Sequence, residues 1–259
     1  MAVHRILVCG LPGAGKTTFA QELVALLTSA RFTVEHFNAD EVRKTANDWD
    51  FSPEGRNRQA SRMGKLASAS TADVAIMDFV APMVHHRKDA NPTLTVWMNT
   101  ITQGRFEDTN KVFEQPTSVD LTVSEFSPIY AAGIVNRLIE DRQFDWTRPT
   151  TQLLGRYQPW HAGHRALFLK ALEKTGQVAI MVRGMAPDTK NPFDFRQVQS
   201  NIDADLKSLY NGLYVVMYVP NIAHITYGRD VGYKIEQEHL GADVEAISAT
   251  NIRNGSIKS

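Results

Sequence analysis

The chain has one cysteine in 259 residues. A single thiol cannot close an intramolecular disulfide, and a Cys-based metal site is excluded with it. Cys9 ends an apolar run from Ile6 and reads as a buried strand residue. Net charge is also missing, because Lys+Arg and Asp+Glu number 28 each. With no global field to attract nucleic acid or an anionic membrane, neither is expected as a partner, and small-molecule substrates are. No apolar run approaches the roughly 20 residues that cross a bilayer. The N-terminus has no long apolar segment of the signal-peptide kind. A soluble, cytoplasmic protein is the expectation. No internal repeat or low-complexity stretch interrupts the chain.

What is present is an alternation of short apolar runs with helix-spaced segments. Runs at Ile6–Cys9, Thr33–Phe37, Asp73–Met77, Leu94–Met98 and Val119–Val123 read as strands. Helical spacing is expected over Thr18–Thr28, Pro53–Ser70 and Pro128–Asp141, with residues 101–117 as a polar excursion. The alternation restarts at Gln152–Leu154, then Gly163–Lys174 as a helix, then strands at Val178–Val182 and Tyr214–Val219. Strands that alternate with helices argue for parallel sheets joined by crossover helices. The hydrophobic signal is weakest from Asp141 to Thr151, which contains Pro149, so the expected domains are 1–147 and 150–259. The fold class is α/β, in two domains.

Gly10-Leu-Pro-Gly13-Ala-Gly15-Lys16-Thr17 fits G-x-x-x-x-G-K-[ST]. The glycines let backbone N–H groups curl around phosphate oxygens, with Thr18 continuing into the helix. Lys16 can reach the β- and γ-phosphates, and Thr17 can ligate Mg²⁺, so ATP and Mg²⁺ are the implied cofactors. The helix that follows points its positive end at the same anion. Asp78 ends a strand, where it can support Mg²⁺ through water or cap a turn. His85 and His86 are adjacent, point differently, and read as solvated surface.

After the second strand come Asn38-Ala-Asp40-Glu-Val-Arg43 and Asn47-Asp-Trp-Asp-Phe51-Ser52-Pro-Glu-Gly55-Arg56. These residues resemble the adenylylsulfate (APS) kinase family, with its D-G-D-x-x-R and N-x-D-x-x-F-S-x-x-D-R-x-x-N segments, over about the first third of the chain. The resemblance implies a P-loop kinase-like three-layer α/β domain. It places Asp40 by the acceptor hydroxyl and Arg43, Phe51 and Arg56 on the substrate. Asn38, Gly55 and Gln59 depart from the family's pattern, and its later C-E-x-R-D-x-K-G-L-Y segment is absent. In that region stands Asn99 to Lys111, a candidate lid from which Arg105 or Lys111 could meet the transferring phosphoryl group.

The second half carries Leu154-Gly155-Arg156-Tyr-Gln-Pro159-Trp160-His161-Ala-Gly163-His164, a strand end running into a helix start. Near the C-terminus stands Ile247-Ser248-Ala-Thr250-Asn-Ile-Arg253, two hydroxyls and a guanidinium suited to phosphates. With Asn191-Pro192-Phe193 between them, this order resembles the HxGH nucleotidyltransferases, and among them the archaeal-type nicotinamide mononucleotide (NMN) adenylyltransferases. The resemblance implies a Rossmann-like domain. His161 and His164 fall at the α/β-phosphates, with Gly155 and Arg156 beside them, Ser248, Thr250 and Arg253 at the triphosphate tail, and Asn191 on the substrate. Trp160 and Tyr218 read as core aromatics.

Joined, the halves predict a bifunctional ATP-dependent enzyme. It would transfer a phosphoryl group to a small hydroxyl compound and an adenylyl group to a mononucleotide, NMN to NAD, with release of pyrophosphate. Self-association is implied by both resemblances. An APS kinase fused to a transferase of other specificity, including cytidylyl transfer, remains open. So does a nucleotide-binding regulator with a decayed kinase half.

Overall fold

The computed structural model describes residues 3–226, 228, 232 and 234–240. It divides into two compact units, Met1–Arg137 and Leu138–Ser259. The first holds β1 (His4–Gly10), α1 (Lys16–Ser29), β2 (Val34–Asn38), α2 (Ala39–Ala46), α3 (Pro53–Ala69), β3 (Val74–Asp78), α4 (Val84–Asp89), β4 (Leu94–Met98), α5 (Glu107–Val112) and β5 (Leu121–Val123). The helix α6 (Pro128–Asp141) contains the division. The second unit continues with β6 (Thr151–Gly155), α7 (Ala162–Thr175), β7 (Val178–Arg183), α8 (Phe195–Tyr210) and β8 (Tyr214–Val219).

The sheet of the first unit runs β2-β3-β1-β4-β5, with every pair parallel. Strands β1 and β3 lie inside it and are covered on both faces. Ile6 to Cys9 and Val74 to Met77 are fully buried, which is why their sequences are unbroken apolar runs. Edge strand β2 is only partly covered. Leu7, Cys9, Ala75 and Met77 pack with Ala60, Met63 and Ala67 of α3. Each fully buried Leu or Met side chain there contributes roughly 1.5–3 kcal/mol. Burial pushes the Cys9 thiol up to about 11, so it is an inert core group, in keeping with the sequence reading.

Helix α3 begins where the Ser52 hydroxyl accepts from Gly55 N at 3.2 Å, with Pro53 in its first turn. Gly55, one of the departures noted above, is packed against the preceding loop. A Cβ built on it would lie 2.3 Å from the Asp50 carbonyl oxygen, so no side chain fits there. The polar stretch 101–117 contains α5, and α2 and α4 are two further short helices that the periodicity does not show.

In the second unit β6, β7 and β8 form a parallel sheet in that order, with α7 and α8 as crossovers. Phe168 of α7 and Val198, Ile202 and Leu206 of α8 pack with Ile180 and Val182 of β7. Helix α8 is an addition to the sequence reading. Its signal is a capping box, in which Asp194 accepts from Gln197 N and Gln197 accepts from Asp194 N, both at 2.9 Å. Asn211 closes the end of α6 by donating to the carbonyls of Ile139, Glu140 and Arg142. Among the described residues no helix is long and apolar enough to cross a membrane.

Candidate functional site

Strand β1 ends at Gly10 and the chain turns through Leu11–Gly15 into α1, placing the whole loop at the carboxyl edge of a parallel sheet. Ligands of open α/β sheets sit at that edge. Gly13 and Gly15 hold φ of 94° and 83°, a conformation that other residues resist. Lys16 Nζ donates to the Leu11 carbonyl at 3.1 Å, folding the ammonium over the loop. Burial lowers its pKa, and Asp78, Cys9 and Asp40 partly offset that. Thr17 and Thr18 stand exposed on the first turn of α1.

Behind the loop, Asp78 at the end of β3 is buried beside Thr17. Asn38, at the end of β2, joins the two: its Nδ2 donates to Asp78 Oδ2 at 2.8 Å and to Thr17 Oγ1 at 3.3 Å. Its Oδ1 accepts from the backbone N of Asp40 and Glu41, capping α2. The amide therefore does what a carboxylate could not, accepting from a helix N-terminus and donating to an acid. His36 Nε2 stands 3.6 Å from the same Asp78 oxygen. Burial pushes Asp78 up, but the neighbouring His36, hydrogen bonds with Thr17 and Asn38 and the charge of Lys16 outweigh it and hold the acid ionised. Asp40 is exposed on the first turn of α2.

The candidate anion-binding residues have other partners. Arg43 is buried; its Nη1 donates to the carbonyls of Asp48 and Asp50 at 2.9 Å, and its guanidinium lies 4.6 Å from the Phe51 ring centroid. It braces the loop between α2 and α3, and Phe51 is exposed on that loop. Arg56 donates to Phe51 O, to Asp108 Oδ2 at 2.6 Å and to Thr109 Oγ1, tying the start of α3 to α5. Arg105 lies on the phosphate loop: its backbone N donates to Pro12 O, and a Cβ on Gly13 would be 3.4 Å from Arg105 Nε. Lys111 pairs with Glu107 on the exposed face of α5. Phe126, missed by the sequence reading, rests against Gly15, where a Cβ would meet its ring at 2.0 Å. A lone aromatic in a polar loop carries no periodic signal.

One surface expectation is corrected. His86 is 1% exposed, because its Nδ1 accepts from Met83 N and its Nε2 bonds Asn57 Oδ1 at 2.8 Å. His85, which is exposed, shares the same Asn57 oxygen. Burial and the neighbouring His85 push His86 down to about 4.

In the second unit β6 ends at Gly155, and the turn to α7 folds Tyr157 back so that a Cβ on Gly155 would lie 2.7 Å from its ring. Arg156 is exposed. His161 is the N-cap of α7 and accepts from Gly163 N through Nδ1 at 3.1 Å. The His161 and His164 rings stack, centroids 3.8 Å apart and planes 30° apart. Trp160 also stacks with His164, centroids 5.5 Å apart, and Tyr157 meets it edge-on at 5.0 Å. Burial lowers both imidazoles, His164 to about 3. Both therefore stand neutral at neutral pH at a helix N-terminus. Trp160 is buried, as read from sequence, but Tyr218 is 63% exposed with its hydroxyl over Gly184, a correction to the core reading. Asn191 is buried with Nδ2 on Asp188, and its Oδ1 has no partner. Ser248, Thr250 and Arg253 lie outside the described residues.

No curated protein matches the chain. Among solved structures, the Mycobacterium tuberculosis APS kinase CysC in complex with AMPPNP and APS is 16% identical with a TM-score of 0.46, covering 53% of this chain and 98% of that one. A Cys556Ala mutant of the same kinase is 21% identical with a TM-score of 0.44, covering 54% and 99%. Shikimate kinase from Acinetobacter baumannii in complex with shikimate is 17% identical with a TM-score of 0.38, covering 54% and 94%. Residues 3–103 match the model of the adenylylsulphate kinase family, and the N-terminal region is a P-loop kinase-like domain similar to that family.

Proposed function

We propose that the chain is a bifunctional ATP-dependent transferase. The observation that carries this reading is the cluster at the end of β1, where Lys16, Thr17, Asn38 and Asp78 are gathered on one phosphate-binding turn. The turn fits a nucleoside triphosphate with its metal. Gly13 and Gly15 hold the left-handed conformation of such a loop, with Arg105 against Gly13 and the Phe126 ring against Gly15; Lys16 supplies the cation, and Thr17 with Asp78 behind it supplies hard oxygen ligands for Mg²⁺. The metal ion would neutralise phosphate charge. The chain's own residues would do the positioning: Lys16 and Arg105 close on the transferred group, and Asp40 orients the acceptor hydroxyl. The acceptor is a small hydroxyl compound. With Arg43 and Arg56 committed to loop carbonyls and Asp108, adenylyl sulfate itself draws less support than a less anionic, nucleoside-like acceptor.

For the second unit the reading is adenylyl transfer to a mononucleotide, NMN to NAD. Its support is the G-R-x-Q-P-x-H-x-G-H order together with two neutral, stacked imidazoles at the N-terminus of α7. His161 and His164 would hold the phosphates around the α-phosphorus while the mononucleotide phosphate attacks in line and pyrophosphate leaves. Consecutive action would take nicotinamide riboside to NMN and then to NAD. The test supplies the full chain with Mg²⁺, NMN and either ATP or CTP. Pyrophosphate and NAD from the ATP pairing, lost in His164→Ala, are expected. Absence of pyrophosphate with every pairing would remove the transferase assignment.

A further inference from the structure

His161 and His164 are held in different ways. His161 is fixed by a hydrogen bond, Nδ1 accepting from Gly163 N. His164 has its Nδ1 buried without a partner, so packing against its neighbours sets its orientation. Those neighbours are the His161, Trp160 and Tyr157 rings. Trp160, itself 7% exposed, has its polar handle directed at a side chain of another helix. Its Nε1 donates to Asp205 Oδ2 of α8 at 2.8 Å. The other carboxylate oxygen, Oδ1, accepts from Arg165 Nη1 at 2.7 Å, one residue beyond His164. A buried indole N–H needs an acceptor, and an ionised one binds it more strongly than a neutral one. Asp205 therefore grips α7 on both sides of His164, once through the ring that covers it and once through the helix.

We propose that Asp205 is the positioning residue of this site: it fixes the plane of Trp160, and Trp160 fixes the plane of His164. What His164 meets, the phosphates of a nucleotide, rests on the adenylyl-transfer reading; the mechanical chain from Asp205 to His164 does not. The Arg165 bond is a separate tie from the same carboxylate to α7.

Two measurements on the full chain test it, the titration of the His164 ring by NMR and the affinity for ATP in a Lys16→Ala background, where binding by the first unit is weakened. In the native protein burial keeps His164 neutral to about pH 3. Asp205→Ala is expected to free the indole, open the cover over His164 and raise that midpoint by about two units. ATP affinity should fall about tenfold, as expected when a binding group is misplaced. Asp205→Asn retains a carbonyl for the indole and should titrate close to the native protein. Arg165→Gln breaks the ion pair alone and should do the same. If Asp205→Ala fails to fold, Trp160→Phe keeps a ring but drops its anchor, and the same rise is expected. An unchanged His164 midpoint in Asp205→Ala, or in Trp160→Phe where that variant takes its place, overturns the proposal. So does an equal shift in Arg165→Gln, which would make Asp205 a helix-to-helix tie only. If His164→Ala leaves ATP affinity unchanged in the Lys16→Ala background, the adenylyl-transfer reading fails while the titration still decides the role of Asp205.

Discussion

At the end of β1 the chain presents charge, and at the end of β6 it presents rings. The first site sets the cation of Lys16 on the turn against the charge of Asp78 behind it, and Asn38 bridges Asp78 to Thr17. The second holds two imidazoles whose pKa values burial has lowered, covered by Tyr157 and Trp160. Both open a 14-residue helix after a parallel strand, so backbone N–H groups and a helix dipole are common to them. The difference lies in what is added to that shared frame. A full cation next to the phosphate suits a site that must gather a triphosphate and a metal. Neutral donors in a drier setting suit a site that stabilises charge developing on one phosphorus.

The largest effect should come from removing the cation. Lys16→Ala is expected to weaken Mg·ATP binding by the first unit and to cut phosphoryl transfer by ~100-fold or more. Calorimetry on the variant checks the first part, and an unchanged affinity would break the contrast. Next, Asn38→Asp puts a second carboxylate at the 2.8 Å contact with Asp78. Like charges sharing one site destabilise it. A loss of about 1–3 kcal/mol is expected without Mg²⁺, partly recovered when Mg²⁺ is added, as read from urea melts in both conditions.

Acidity sharpens the comparison further, because each unit holds an imidazole that desolvation lowers strongly. His86 is lowered to about 4 and His164 to about 3, against 6.5 for an ordinary histidine. The unfolded chain takes up these protons at a higher pH than the folded one does. Stability is therefore present above pH 6.5 and is lost as pH falls, toward about 4 for His86 and about 3 for His164. The slope is at most about 1.4 kcal/mol per pH unit for each imidazole. Urea melts at neutral and mildly acid pH should show the loss, and His86→Gln should flatten it. A smaller effect is expected at Lys111, whose exposed pair with Glu107 is worth under about 0.5 kcal/mol, so Lys111→Ala should leave the melt nearly unchanged.

Much of this was legible in the residues. Strand β4, helix α6 and strand β8 fall where the periodicity put them, because each presents an apolar run or stripe with clear ends. The phosphate loop was legible because G-x-x-x-x-G-K-T names a backbone shape as well as a lysine. Short helices were not: α2 and α4 span fewer than three turns, too few to build a period. Helix α8 had a readable signal, the Asp194 and Gln197 capping box followed by Val198, Ile202 and Leu206. His86 read as surface because burial through one shared asparagine oxygen leaves no mark in sequence. The same holds for Arg43, whose partners are backbone carbonyls, and for Asp205, whose tie to Trp160 spans 45 positions.

The most direct test is a double separation of products. The full chain is supplied with Mg²⁺, ATP, and either nicotinamide riboside or NMN, and ADP and pyrophosphate are measured separately. Two independent sites predict that Lys16→Ala abolishes ADP formation from nicotinamide riboside and spares pyrophosphate release from supplied NMN, while His164→Ala does the reverse. Loss of both products in either variant, or no pyrophosphate from the native chain, would contradict the account.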